Sequence, residues 1–256
     1  MTNESILDID PGTERIDKKE YLNNKRLKKV IIPDSVKEIG DYAFAYCDRL
    51  RYAELHGDIV LGREVFKGCE ELKEIYVRGA AKETAALLSA IKDDAPYLLS
   101  PGEVGSDEWI RKWDARMLDI LHTADDDGYS NQIMCGEEDY MSTDLEGYKV
   151  RSAKRKIRII FLRLINDIGL KDDIRDEISR YIKDNPYTKD VVINEFGDEK
   201  EYYELFATLG LINEDNYEEI LKETGDQHTE MKAFFIRFMD EKRGLEKKDF
   251  FDMLKL

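Results

Sequence analysis

The hydrophobic positions in the first third of the chain recur with a period of about 22 residues. The segment LKKVIIPDSVKEIGDYAFAYCDRL, which begins at Leu27, returns as LRYAELHGDIVLGREVFKGCEEL from Leu50. An offset of 22 residues relates three pairs of positions: Gly40 and Gly62, Phe44 and Phe66, Cys47 and Cys69. Self-similarity at a fixed short period is typical of repeat architectures, in which each unit stacks on the next. The pattern therefore predicts a solenoid.

Degenerate copies of the unit extend the pattern in both directions. At an offset of 23, Tyr21 falls under Phe44, and the pattern restarts at Leu72. Each unit should contribute one short strand with alternate residues inward, and we predict strands at residues 30–32, 53–55 and 75–77. Pro33, Gly40 and Gly62 suit places where the chain bends or loses a ladder donor. Phenylalanine and cysteine should fill the core, with a metal pair or a disulfide as the alternative for the cysteines.

The first full unit, LKKVIIPDSVKEIGDYAFAYC, resembles the BspA-type leucine-rich repeat. That repeat runs as leucine, strand, isoleucine-proline, isoleucine-glycine, alanine-phenylalanine and cysteine. The second unit departs from it at Leu55-His56, in place of the apolar-proline pair, and at Val65, in place of the alanine. The resemblance covers about residues 6 to 79. It implies a right-handed β-solenoid fragment that is used for binding rather than catalysis, and nothing in it implies an active site.

A solenoid lines one face with equivalent side chains from successive repeats, so the outward strand positions are where we look for binding. Counted by register, the row is Asp8, Ile31, Glu54 and Tyr76, with Lys29, Tyr52 and Glu74 beside it. We predict a binding surface made by Ile31, Tyr52, Glu54, Glu74 and Tyr76, whose tyrosines and glutamates could hold a peptide or a sugar. The alternative interpretation is that these are ordinary solvated strand residues.

Beyond residue 79 the apolar period becomes helical. One stripe runs from Ile157 to Ile168, and further stripes begin at Ile174, Tyr202 and Met231. The predicted fold class is α+β: a short β-solenoid followed by an all-α domain. The segments around Gly169 and Gly210 are weakly similar to each other, so stacked helical hairpins are a possible arrangement for that domain. The predicted divisions are residues 1–79 for the repeats, 80–106 for a capping helix and linker, and 107–256 for the helical domain.

The charge balance excludes one class of partner. The chain has a net charge of −16, of which −14 lies after residue 79. Because affinity for a phosphate backbone comes from cationic side chains, we expect no nucleic-acid binding. The basic run from Lys149 to Arg158 should form the wet face of a helix and pair with acidic residues. No run approaches the roughly 20 apolar residues of a membrane span, so we expect no membrane insertion.

Candidate chemistry in the helical region is weak. HTADDDGYSNQIM, beginning at His122, is similar to a calcium loop but places Met134 where a bidentate glutamate belongs. An irregular cation site at Asp125–Asp127 stays open beside a solvated turn. Cys135 has no partner histidine and is expected to pack. We find no nucleotide, metalloprotease or hydrolase motif, and predict no cofactor, no metal and no catalytic residue.

These observations favour a non-catalytic interaction or scaffold module whose repeat strand face binds an unknown protein partner. A first alternative is an enzyme or a small-molecule or cation site near Asp125–Tyr140. A second is a cell-surface adhesin, a role that such repeats often imply. Three cysteines and the absence of a secretion signal favour a cytoplasmic location, with the cell surface as the alternative. The oligomeric state is left open.

Overall fold

The computed structural model of the protein describes residues 6–129 and 144–253, with side chains described as far as Gly244. The chain forms two compact units. The first comprises Met1–His122 and Leu162–Lys171, and the second comprises Thr123–Phe161 and Asp172–Leu256. This division differs from the boundaries expected from the sequence, which stay a prediction. Each unit is described by itself below.

Seven short strands build the solenoid in the part of the first unit that the structure describes. They are β1 (Ile6–Leu7), β2 (Arg15–Ile16), β3 (Lys29–Ile31), β4 (Glu38–Ile39), β5 (Tyr52–Leu55), β6 (Val60–Leu61) and β7 (Glu74–Val77). Strands β1, β3, β5 and β7 pair in parallel in one sheet, and β2, β4 and β6 pair in a second. In a solenoid, equivalent strands of successive coils run in the same direction and lie next to one another, so they pair in parallel. The predicted solenoid of about three turns is confirmed.

A third side of each coil is a turn arm, found at residues 19–23, 42–46 and 64–68. The arms also stack through the backbone, since the N–H groups of Tyr42, Phe44 and Tyr46 donate to carbonyls of the next coil at 2.9, 3.0 and 2.7 Å. Two positions in each arm have a positive φ; they are Lys19, Asn23, Tyr42, Tyr46, Glu64 and Gly68. Each arm therefore points its side chains in directions that neither strand nor helix would give.

Rings and thiols stack in the core, as predicted. The Phe44 ring centroid lies 5.2 Å from that of Tyr21 and 5.8 Å from that of Phe66, and the rings are nearly parallel. Cys47 and Cys69 are both fully buried and unbridged. Their thiols lie 3.2 Å from the carbonyl oxygen of Tyr21 and 3.1 Å from that of Phe44 respectively. Equivalent residues thus occupy equivalent places in successive coils.

Gly40 and Gly62 each come directly before a turn, where the chain bends as predicted, but the alternative prediction of a lost ladder donor is wrong. Both keep their ladder donor: the N–H of Gly40 donates to Ile16 at 2.8 Å, and that of Gly62 to Ile39 at 2.7 Å. A Cβ at Gly40 would lie 2.6 Å from the nitrogen of Lys18. Glycine is therefore needed because the backbone of the neighbouring coil approaches too closely for a side chain.

Helix α1 (Glu83–Ile91) packs against β7 and covers the last coil, as expected for a capping helix. Two 3₁₀ turns, Pro96–Leu98 and Pro101–Glu103, lead to α2 (Asp107–His122). Trp109 and Trp113 are buried, and their indole N–H groups donate to the carbonyls of Leu98 at 3.0 Å and Leu87 at 2.9 Å. Both tryptophans therefore belong to the core of the first unit.

A buried ion pair also lies in the first unit. The guanidinium of Arg163 donates to the carboxylate of Asp114 at 2.6 and 3.2 Å, and the two side chains are 1% and 5% exposed. The same guanidinium donates to the carbonyls of Asn166 and Ile168 at 2.6 and 3.0 Å. Its plane lies near the Trp113 ring. The charge is thus compensated on every side that the contacts describe.

The second unit is helical. Its elements are α3 (Leu145–Ile165), whose last residues belong to the first unit, α4 (Asp172–Asp184), α5 (Thr188–Asp190), a π turn (Val191–Glu195), α6 (Lys200–Thr208), α7 (Tyr217–Thr224) and α8 (Thr229–Met253). Both α6 and α7 pack on α8. Gly169 and Gly210 each follow a helix with φ of 61° and 76°. The stacked-hairpin arrangement stays a prediction. Within the described ranges no helix is long and apolar enough to cross a membrane.

Candidate functional site

The strand-face patch consists of the outward residues of β3, β5 and β7: Lys29, Ile31, Tyr52, Glu54, Glu74 and Tyr76. The register places Tyr52 between Lys29 and Glu74, and Glu54 between Ile31 and Tyr76, as the repeat spacing predicts. Ile31 is 39% exposed, Glu74 is exposed, and the others are half-buried. The patch therefore remains accessible to another molecule.

Contacts within the patch hold Tyr52 in place. Its hydroxyl donates to Glu54 Oε2 at 3.0 Å, and the Lys29 ammonium lies 4.5 Å from the centre of its ring. Partial burial, the hydrogen bond to Glu54 and the charge of that carboxylate raise the pKa of Tyr52 to about 12. The phenol therefore stays protonated at neutral pH and presents a fixed ring.

Arg78 lies at the rim of this patch and was missed from the sequence. Its guanidinium contacts Asp34 at 2.6 Å and Glu54 at 3.5 Å, and it also donates to the carbonyl of Ile32. The sequence feature that could have indicated a role for Arg78 is its position one residue after the last predicted strand. Arg78 ties the turn after β3 to the outward row, so the patch is preorganised before any partner arrives.

A second concave surface lies on the turn arms, and the sequence interpretation did not single it out. This turn-arm groove has a volume of about 640 Å³ and is lined by Lys18, Lys19, Leu22, Asn23, Lys25, Tyr42 and Tyr46. Extending the match of Tyr21 with Phe44 would have aligned Lys19 with Tyr42 and Asn23 with Tyr46. The sequence pattern does not reveal that these positions have a positive φ, which turns their side chains outward.

The aromatic wall of the groove is rigidly seated. Tyr46 is 46% exposed, and its ring lies against Gly68, where a Cβ would come within 2.6 Å of the ring. Lys25 donates to the carbonyl of Tyr46 at 3.4 Å and forms a salt bridge with Asp48. Tyr42 donates to Glu64, which raises the pKa of the phenol. Both rings are thus held by residues of the neighbouring coils.

The candidate cation site near Asp125 contains a lysine. Lys156 is 6% exposed, its ammonium lies 2.7 Å from Asp125 Oδ1, and it also donates to the carbonyl of Thr123. An ammonium beside the carboxylate supplies the positive charge that a metal ion would otherwise bring. The described residues contain no group of three or more potential metal ligands. The rest of that stretch, from residue 130 to Tyr140 and including Cys135, lies outside the described residues.

The basic run pairs largely with acidic side chains, as predicted. Arg158 contacts Glu195 at 2.7 Å, Lys149 contacts Glu146 at 3.3 Å, and Lys154 forms a salt bridge with Asp190. The prediction that the basic run forms a solvent-exposed helix face is wrong for Lys156, because this side chain is buried and its ammonium pairs with Asp125. These cationic side chains, which could otherwise bind a nucleic-acid phosphate, are therefore paired with carboxylates of the same chain.

Parallel coils with stacked phenylalanines, a cysteine in each of the two best-preserved coils and a capping helix define a leucine-rich-repeat β-solenoid. Residues 2–86 match the family model described as "BspA type Leucine rich repeat region (6 copies)", which extends the expected region slightly at both ends. This part of the protein is therefore a BspA-type leucine-rich-repeat region. No curated protein and no solved structure matched the chain.

Proposed function

We propose that the protein is a non-catalytic interaction or scaffold module in which the strand-face patch binds a protein partner. The accessibility of that patch carries the proposal: six side chains from three adjacent strands point outward, and none of them is buried by the described chain. Leucine-rich-repeat regions generally mediate protein–protein interaction through rows of equivalent side chains.

The chemistry of the patch fits a protein surface. Two tyrosines supply large contact area with few rotatable bonds, and residues of this type dominate the energetics of interfaces. Glu54, Glu74, Lys29 and Arg78 surround them with charges of both signs. Strands β3, β5 and β7 span only about 10 Å at the usual spacing, so the patch covers part of a standard interface and anchors it.

The test is affinity capture from lysate with the full chain immobilised, comparing wild type with Tyr52→Ala/Tyr76→Ala. The matched control is Val60→Ala/Tyr97→Ala, which removes an aromatic and an aliphatic side chain that are 62% and 64% exposed outside the patch. The proposal expects specific partners to be lost with the first variant and kept with the control. Identical captures by all three proteins would remove the strand face from consideration.

A further inference from the structure

We propose that the turn-arm groove binds a carboxylated oligosaccharide, a function that uses none of the strand-face residues. The groove volume of about 640 Å³ lies within the range of roughly 300–1,000 Å³ that is usual for small-ligand sites. Three features of the groove select the chemistry of its occupant: the backbone, the charge and the aromatic wall.

Alternate backbone N–H groups of the first two arms are already used in stacking the coils. The N–H groups of Lys19, Tyr21 and Asn23 donate to the second coil at 3.0, 2.8 and 2.8 Å, and those of the second arm donate to the third coil. A peptide that adds to a sheet edge needs free main-chain donors and acceptors. Because these donors are used, a hydrogen-bond donor for a ligand in this groove must come from a side chain.

The side chains of the groove are hydrogen-bond donors with positive charge. Lys18 and Lys19 contribute ammonium groups and Asn23 an amide, and none of the described lining residues is a carboxylate. The third lysine, Lys25, is already paired with Asp48, so the charge available to a ligand comes from Lys18 and Lys19. Lys18 and Lys19 form no salt bridge with any residue in the described part of the chain. In a protein of net charge −16, this concavity is a local site for an anion that is rich in acceptors.

The aromatic wall distinguishes a sugar from a simple anion. The Tyr46 ring and the Leu22 side chain are 46% and 37% exposed and offer an apolar surface next to the lysines. The C–H face of a pyranose ring packs on an aromatic face, whose negative quadrupole attracts polarised C–H groups. Inorganic phosphate would use the ammonium groups and leave this wall unused, whereas a sugar that bears a carboxylate uses both.

The probe is a hyaluronan tetrasaccharide, titrated into the full chain by calorimetry, with a sialylated trisaccharide as a second carboxylated sugar. A neutral tetrasaccharide, inorganic phosphate and a glutamate-rich peptide serve as the other arms. At least one carboxylated sugar should bind, and its affinity should fall as salt is added, because salt screens the interaction between exposed charges. In saturation-transfer NMR on the wild-type protein, the strongest transfer should fall on ring C–H protons.

The variants separate charge from ring. Lys18→Gln/Lys19→Gln and Tyr46→Asn should each weaken sugar binding at least tenfold, and asparagine tolerates the positive φ at position 46. The control Lys171→Gln/Lys222→Gln makes the same charge change at exposed lysines elsewhere and should bind within twofold of wild type. Leu22→Asn supplies a second test of the apolar wall if Tyr46→Asn alters the tryptophan fluorescence that reports folding.

Three results would overturn the inference. They are no binding of either carboxylated sugar to the wild type, binding that survives both groove variants, and tighter binding of phosphate or the acidic peptide than of the sugars. The Tyr52→Ala/Tyr76→Ala variant should bind the sugar like wild type, so this proposal and that for the strand face fail separately.

Discussion

Neutralising Asp114 should destabilise the first unit strongly although the side chain keeps its size. In Asp114→Asn the guanidinium of Arg163 stays buried, with hydrogen-bond acceptors but no countercharge. Breaking a buried ion pair from one side costs about 3–5 kcal/mol. With a urea m-value of about 2 kcal/mol per M, a loss of about 4 kcal/mol lowers the unfolding midpoint by about 2 M.

Tryptophan fluorescence during urea unfolding is the assay. The chain has 2 tryptophans, and both lie in α2, so the signal reports on the first unit. The Trp113 ring is 5.8 Å from the Arg163 guanidinium carbon. Asp119→Asn is the matched control on the same helix: Asp119 forms a surface salt bridge with Arg116 and its side chain is 65% exposed, so the change should shift stability by less than about 1 kcal/mol.

Removing the other partner should cost more. Arg163→Met leaves Asp114 uncompensated and also takes the donor from the carbonyls of Asn166 and Ile168, which adds about 1–3 kcal/mol for each carbonyl left unpaired. We expect Asp119→Asn to destabilise the protein least, Asp114→Asn more, and Arg163→Met most. Equal midpoints for Asp114→Asn and Asp119→Asn would refute the buried pair.

Three further predictions concern the repeats. Gly40→Ala should destabilise the protein by about 1–3 kcal/mol in urea unfolding, because its Cβ meets backbone at 2.6 Å, whereas Gly57→Ala, with open space around it, should lie within about 0.5 kcal/mol of wild type or be slightly stabilising; equal effects would contradict the stacking of the coils. In absorbance titration at alkaline pH, the difference between wild type and Tyr52→Phe should be one phenol with a pKa of about 12, and a midpoint near 10.0 would be inconsistent with the Glu54 contact. Because the folded pKa is raised, the stability that this phenol contributes is complete below pH 10.0 and disappears as pH rises through about 12. Iodoacetamide labelling followed by peptide mass spectrometry should leave Cys47 and Cys69 unmodified in the native protein and modify both in urea, since the two thiols are fully buried and the Cys47 hydrogen bond and burial raise the pKa of Cys69; rapid native labelling would refute their place in the core.

The repeat fold could be predicted from the sequence because the coils repeat their own constraints. Phe44 and Phe66 keep one offset, so a single alignment fixes the strands, the register and the ring stack together. The outward row, from Ile31 to Tyr76, follows from the same register. A periodic pattern carries this information because each unit packs only on its neighbours.

Features that depend on individual contacts could not be predicted in this way. The burial of Lys156 and Arg163 contradicts residue type and requires knowing that Asp125 and Asp114 lie opposite them. The turn-arm groove requires the positive φ values of Lys19 and Tyr46, which periodicity does not reveal. Sequence pattern therefore gave the repeating scaffold, while charge pairing and arm geometry came from the structure.

Site-specific photocrosslinking tests the central claim most directly. A benzophenone amino acid replaces Ile31 in the patch or, as the control, Val60 on β6; the two native side chains are 39% and 64% exposed. The protein is irradiated in lysate and its adducts are identified by mass spectrometry. We predict a discrete protein adduct from position 31 that is absent from position 60 and is lost when Tyr52 and Tyr76 are also replaced by alanine. The same adducts from both positions, or none from position 31, would contradict a binding role for the strand face.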